Sequence, residues 1–313
     1  MSSTTTTTTA INTSLSRGTA LSKGKVKLSG AQETLLLTLF ARAKDAESAS
    51  PILHDQYALE VVSQIREQGY DFNRTSMGFE RLGMFSEPVA TRARMFDICT
   101  ERFLLRNPGP ATVLHLACGM DSRCYRVKWQ GEGRVWIDAD KEDVVELRRQ
   151  VLNDPEPGKG EYRLIHPNIH DEEWLREAKI PRDRPVLVLM EGLSMYLTPE
   201  EMHGLVRRVV TYFRQAGVRG EMRFDAVGSL SYYAINYVFR TPFKTMGTRF
   251  NWYLDNPRHL EQVVPGLRFL DRVLFMPDFI RHGLIGLVLG FFSWLFELVF
   301  GSDRLGGAYG YRF

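Results

Sequence analysis

Five short stretches carry side chains that could act together: Arg92, the turn Ala117-Cys118-Gly119, the acids Asp138 and Asp140, Asn168 with Ile169, and Glu191. All but the first fall just after a short apolar run. That is where a parallel strand delivers its backbone to a ligand in an open α/β sheet. Gly119 permits positive φ and close backbone approach. A carboxylate about twenty residues further on can accept hydrogen bonds from both hydroxyls of a ribose. A lone glycine, or a lone acid after a strand, is weak evidence because turns and helix caps use the same residues. Their order, each after its own strand, points to a nucleoside-binding crevice.

The turn discriminates between nucleosides. A nicotinamide dinucleotide calls for Gly-x-Gly-x-x-Gly and a pyrophosphate on the following helix N-terminus. Here 117–122 reads Ala-Cys-Gly-Met-Asp-Ser, with one glycine and an acid where pyrophosphate would be repelled. Asp121 suits a cationic ligand better. S-adenosylmethionine carries a sulfonium and an ammonium and no phosphate, so charge favours it.

The elements that position these residues follow from periodicity. Leu35, Leu36, Leu39 and Phe40 form a helical stripe over 31–47, and Ser50-Pro51 ends it. A second helix carries Tyr57, Leu59, Val61, Val62 and Ile65. A third spans 88–105 with Met95, Phe96, Ile98 and Leu104 inward, and bears Arg92 and Arg94. Strands and helices then alternate, the pattern of a doubly wound parallel sheet. Strands are expected at 112–116, at 134–137 leading to Asp138 and Asp140, at 162–165, at 185–190, at 220–224 leading to Asp225, and at 267–275. Thr198-Pro199-Glu200-Glu201 reads as the start of a helix reaching about residue 216. Residues 308–313 are expected as a seventh strand closing the sheet edge.

With 44% hydrophobic residues in 313, the chain can bury a large core. Its net charge of +3 is spread without a basic stripe, which argues against nucleic acid as partner. Cys99, Cys118 and Cys124 lack ligand spacing and fit a reduced, cytoplasmic protein. Residues 1–30 begin with a threonine run and contain no acid; they are expected to be a disordered tail. Their composition also suits an organelle transit peptide, but no amphipathic helix accompanies it, and no apolar stretch marks a secretory signal. The remainder, 31–313, reads as one domain: a helical cap over 31–87, the sheet core over 88–275, and an apolar segment plus final strand over 276–313. Within the last part, 283–300 is apolar apart from Ser293 and Glu297. Burial in the domain or a wall of the substrate pocket is the favoured reading, peripheral membrane contact the second and a span the third, because Glu297 is unpaired inside it and few residues follow.

Four ordered motifs carry a family resemblance. Gly119-Met120-Asp121-Ser122-Arg123 within 113–126 resembles motif I of the leucine carboxyl methyltransferase family, which includes tetracenomycin-type polyketide O-methyltransferases. Arg92-Ala93-Arg94-Met95-Phe96-Asp97 resembles its upstream element, and Asp140 with 144–149 its second-strand element. Glu191-Gly192-Leu193-Ser194-Met195-Tyr196-Leu197 resembles the element after strand four. The likeness covers roughly 30–275. It implies a class I methyltransferase fold, Rossmann-like with N-terminal cap helices, and S-adenosylmethionine as cofactor. It further implies that Arg92 pairs with the donor's carboxylate, 117–119 approaches its methionyl part, and Asp140 holds the ribose with Asp138 as possible substitute. Asn168 and Ile169 would flank the adenine, with Glu191 near the amino group. Two positions depart from the family pattern: alanine at 117 replaces glycine, and asparagine at 168 replaces aspartate.

Methyl transfer to a carboxylate needs no general base, whereas a phenol would benefit from one. No histidine stands out for that role, and His166 and His170 lack a third partner for a metal. Tyr196, Tyr232, Tyr233, Tyr237, Phe243 and Trp252 are candidate walls of an acceptor pocket, against ordinary core packing for any one of them. Their density favours a hydrophobic small-molecule acceptor. A non-methylating binding or rearrangement protein on the same scaffold is the alternative.

Overall fold

The computed structural model describes residues 31–67, 86–238, 249–274 and 304–313. The expected tail, Phe243 and the apolar 283–300 segment lie outside them. Seven strands form one sheet: β1 (Ala111–Leu116), β2 (Arg134–Ala139), β3 (Glu161–Ile165), β4 (Val186–Met190), β5 (Gly220–Val227), β6 (Arg268–Val273) and β7 (Gly306–Arg312). Their order is β3-β2-β1-β4-β5-β7-β6. Strands β1 to β5 pair in parallel, and β7 runs antiparallel to both neighbours. The Val-Leu-Val-Leu-Met run of β4 is buried throughout, as a strand covered on both faces must be. Chain order reverses between β1 and β4, and ligands enter open sheets at that switch point.

Helices cover both faces. The cap is α1 (Ala31–Ala46) and α2 (Gln56–Glu67), followed by α3 (Ser86–Arg106). Short α4 (Arg123–Arg126) follows β1, α5 (Glu142–Val151) follows β2, and α6 (Trp174–Glu177) precedes β4. After β4 comes α7 (Pro199–Gln215). Thr198 accepts from the Glu201 N–H at 3.2 Å while Glu201 accepts from the Thr198 N–H at 2.8 Å, a capping box with proline in the first turn. Then come α8 (Ser229–Tyr233), a π turn over Ala234–Val238, and α9 (Arg258–Val263). One face of the sheet packs against α7 through Leu205, Val206, Val209 and Phe213; the other packs Phe96 and Phe103 of α3 beside Trp129 and Trp136. The cap has its own core of Leu36, Leu39, Phe40, Val61 and Ile65, which continues onto Val144 of α5 and Met120. The cap is thereby packed onto the turn after β1.

The last strand is not the edge that the sequence suggests. β7 inserts between β5 and β6, and β6 becomes the edge. Tyr-Gly-Tyr alternation puts Tyr309 and Tyr311 on one face, both fully buried and stacked on Phe224 at 6.0 and 5.6 Å. Their hydroxyls donate to the Leu254 and Pro257 carbonyls at 2.9 and 2.8 Å. On the opposite face, a Cβ at Gly310 would run into the Arg223 guanidinium, so glycine makes room for it. Two rings of that size need strands on both sides to be covered.

Tyr311→Ala is therefore expected to cost about 3–5 kcal/mol in urea unfolding. Leu105→Ala, at a side chain 79% exposed, should stay within about 0.5 kcal/mol. Equal effects would contradict an interior placement of β7.

Candidate active site

The turn after β1 is built by backbone conformation. Ala117 and Gly119 both have left-handed φ, +52° and +51°. The Cys118 N–H donates to the Ala139 carbonyl at 3.2 Å and the Asp121 N–H to the Cys118 carbonyl at 2.9 Å. A Cβ at Gly119 would sit 2.8 Å from the Leu35 Cδ2 methyl of the cap, which would have to shift. Asp140, just past β2, clasps this turn: its carboxylate accepts from the Gly119 N–H at 2.7 Å and from the Lys141 N–H at 2.7 Å. Burial raises its carboxyl above the ordinary value, and those two N–H groups pull the other way. Asp140 is half-buried, and each oxygen keeps acceptor capacity for a further donor.

Beside the turn, Arg92 of α3 reaches Glu191 at 2.9 Å and Asp225 of β5 at 3.2 Å. Asp225 also accepts from the Gly192 N–H at 2.7 Å. Burial raises the Asp225 carboxyl, Arg92 opposes this, and Glu191 adds to it. Glu191 is held below its ordinary value: burial disfavours its charge, but Arg92 and Arg123 outweigh burial.

Under the turn lies a lattice of buried charge. Arg123, fully buried, binds Asp97 at 2.7 Å, Asp121 at 2.7 Å and Glu191 at 2.6 Å. Arg126 binds Asp55, Asp97 and Asp121 at 2.8, 2.8 and 3.2 Å, and Arg42 of the cap binds Asp121 at 3.0 Å. His115 Nδ1 meets Asp138 at 3.1 Å, and Arg148 meets it at 2.9 Å. With Arg92 and Asp225, the connected set holds six carboxylates, five guanidiniums and one imidazole.

Several expected site residues sit at the crevice end of the strands: Arg92, Ala117, Gly119, Asp140 and Glu191. Cys118 is buried behind the turn, its thiol pushed up by burial. Asn168 is exposed, its side-chain oxygen accepting from the His170 N–H at 3.2 Å; Ile169 backs onto the core. Asp138 does not belong with them. It lies inside β2, 1% exposed, and already accepts from Trp136, Tyr162, Arg148 and the His115 ring. Its expected role as a substitute ribose ligand is corrected to one in the core. Asp121 is corrected as well. Burial opposes its charge, but Arg123, Arg126 and Arg42 hold it well below the ordinary range, so it balances arginines rather than a cationic ligand.

Among the aromatics, Trp252 is 5% exposed and packs near Phe224 in the core, so it is not a pocket wall. Tyr196 is half-buried against Phe250 at 5.4 Å. Tyr232 and Tyr233 form a ring cluster with Tyr237 and Tyr253, from which three of the rings stay exposed. The sequence reading missed Arg42, Asp55, Asp97, Arg123, Arg126 and the second carboxylate at Asp225. The available signal was charge inside apolar helical stripes, as at Arg42 and Asp97.

A leucine carboxyl methyltransferase family model matches residues 35–210, more than half the chain, and the chain belongs to that family. It is an S-adenosylmethionine-dependent methyltransferase. An S-adenosyl-L-methionine-dependent methyltransferase of Gibberella zeae, dpfgK, is 57% identical over 95% of this chain and 99% of its own length. The tetracenomycin polyketide synthesis O-methyltransferase TcmP of Streptomyces glaucescens is 38% identical over 79% of this chain and 84% of its own. Among solved structures, a DUF574 family protein from Streptomyces avermitilis has the same fold, with a TM-score of 0.50 and 12% identity over 86% of this chain and 99% of that one.

Two expectations follow from the geometry. Alanine in left-handed φ costs about 1–2 kcal/mol, partly offset by glycine's greater unfolded-state freedom, so Ala117→Gly should stabilise the protein by roughly 0.5–1 kcal/mol. A clear loss of stability in urea would show that the methyl group packs usefully. Asp121, Asp138 and Glu191 all titrate below their ordinary range when folded, so the stability they contribute is present at neutral pH. It should be lost as pH falls below about 4 toward the folded values. Asp140 and Asp225, both raised by burial, act with the opposite sign and are outnumbered. Urea midpoints unchanged down to pH 3 would contradict a charged lattice.

Proposed function

We propose that the enzyme methylates a carboxylate or hydroxyl of a hydrophobic small molecule in polyketide or related secondary metabolism. The observation that carries this reading is the exposed tyrosine cluster on α8 and its flank, at the same strand ends as Arg92, Glu191 and Asp225. The similarity to TcmP, whose name specifies O-methylation in polyketide synthesis, supports it.

The residues present fit the donor. Arg92 Nη2 has no hydrogen-bond partner among the described residues and lies next to Gly192, open to a carboxylate. Glu191 and Asp225 share Arg92, with Arg123 also on Glu191, and would face the ammonium. Asp140 accepts from the ribose hydroxyls while still holding Gly119, and Asn168 and Ile169 border the adenine. Bound S-adenosylmethionine supplies an electrophilic methyl group on a sulfonium. The chain's task is to align the acceptor oxygen with that methyl and to keep water out.

A labelled methyl donor offered against a panel of hydrophobic acids and phenols tests the acceptor. Methyl ester or ether is the expected product, and donor binding with no product from either class would overturn the reading. In calorimetry, Asp140→Ala should weaken donor binding by about 1.5–3 kcal/mol through lost charge-assisted hydrogen bonds. Unchanged binding would remove Asp140 from the ribose.

A further inference from the structure

At the end of the sheet opposite the crevice, one open cavity of about 540 Å3 is lined by four arginines. They are Arg214 at the end of α7, Arg219 before β5, Arg268 at the start of β6 and Arg312 at the end of β7. No carboxylate side chain lines it, and none of the four forms an ion pair among the described residues. Spread over a hundred residues of sequence, they make no basic run, and only the fold gathers them.

The arrangement has features that a solvated surface does not require. Arg268 and Arg312 stand directly opposite each other in the β6–β7 register, and like charges in that position repel. The acid in register on the other side, Glu221 of β5, is already taken by Arg106 at 2.7 Å and lies 3.7 Å from Arg223. Arg214 is placed by the backbone. Gly266 has φ +95°, and a Cβ there would fall 1.1 Å from Arg214 Nη1, which donates to the Pro265 carbonyl at 3.3 Å. Glycine is thus what lets this guanidinium lie over the cavity wall. Four cations are brought together, and among the described residues no carboxylate side chain lines the cavity with them.

We infer that this cavity is a second binding site, for a small ligand bearing a di- or triphosphate group. Forked, planar guanidiniums bind phosphate oxygens two at a time, and several of them around one concavity suit a multiply charged anion. The site is separate from the donor crevice. β5 runs from Gly220 beside the cavity to Val227 beyond the crevice, a rise of about 25 Å for its eight residues.

Tripolyphosphate is the probe, titrated calorimetrically into the full-length chain at low and raised salt. One saturable site is expected, weakening with salt. The Arg268→Gln/Arg312→Gln variant should bind at least ten-fold more weakly, with donor affinity unchanged. Arg214→Gln, at an exposed helix end, gives the same reading should the double variant fold poorly. No saturable heat, equal affinity in the variants, or competition between tripolyphosphate and S-adenosylmethionine would each overturn the proposal. So would tighter binding of a polyglutamate peptide, which would make this face a docking surface for an acidic protein.

Discussion

Arg123 is the side chain on which the site depends. It is fully buried, and its guanidinium joins α3 through Asp97, the turn through Asp121 and the end of β4 through Glu191. Three carboxylates surround its permanent charge, and they push its pKa up against the effect of burial. Removing one member of such a buried set typically costs about 3–5 kcal/mol, because its partners are left charged in a low-dielectric interior. Arg126 and Arg42 extend the same lattice to Asp55 at the start of α2, so the cap is tied to the turn by charge as well as by packing. Asp55 itself caps α2, accepting from the Ala58 N–H at 3.1 Å. Cap, turn and strand end are thus one electrostatic unit.

That unit ends in two acids where a donor would sit. Glu191 and Asp225 share Arg92 at the mouth, and Glu191 also holds Arg123. Burial, with Glu191 adding to it, raises the Asp225 carboxyl against the pull of Arg92. A ligand with an ammonium and a sulfonium supplies positive charge at that point. The charge argument for S-adenosylmethionine therefore survives, but moves from Asp121 to Glu191 and Asp225.

Much of this was legible in the sequence. Apolar runs bounded by glycine or acid located the parallel strands, and the ordered motifs located Arg92, Asp140 and Glu191. The reading failed where side-chain direction decided. Asp138 and Asp140 look alike at the end of an apolar run, yet the strand runs two residues further, to Ala139, so that Asp138 lies in the core and Asp140 stays at the crevice. Trp252 and Tyr253 are likewise neighbours with opposite fates. The place of β7 was hidden for another reason. Insertion between β5 and β6 is a long-range pairing, and only the two buried tyrosines at 309 and 311 hint at it. Ala117 is the reverse case: a residue foreign to the family pattern adopts the glycine-like φ that the pattern demands.

A crystal structure with S-adenosylhomocysteine bound is the most direct measurement of the central claim. The ribose hydroxyls should lie within hydrogen-bond distance of Asp140, and the methionyl amine should face Glu191 and Asp225. The carboxylate should be on Arg92, with the Arg123 lattice unchanged beneath. A ribose held by another residue, or a methionyl group away from Arg92, Glu191 and Asp225, would contradict the account.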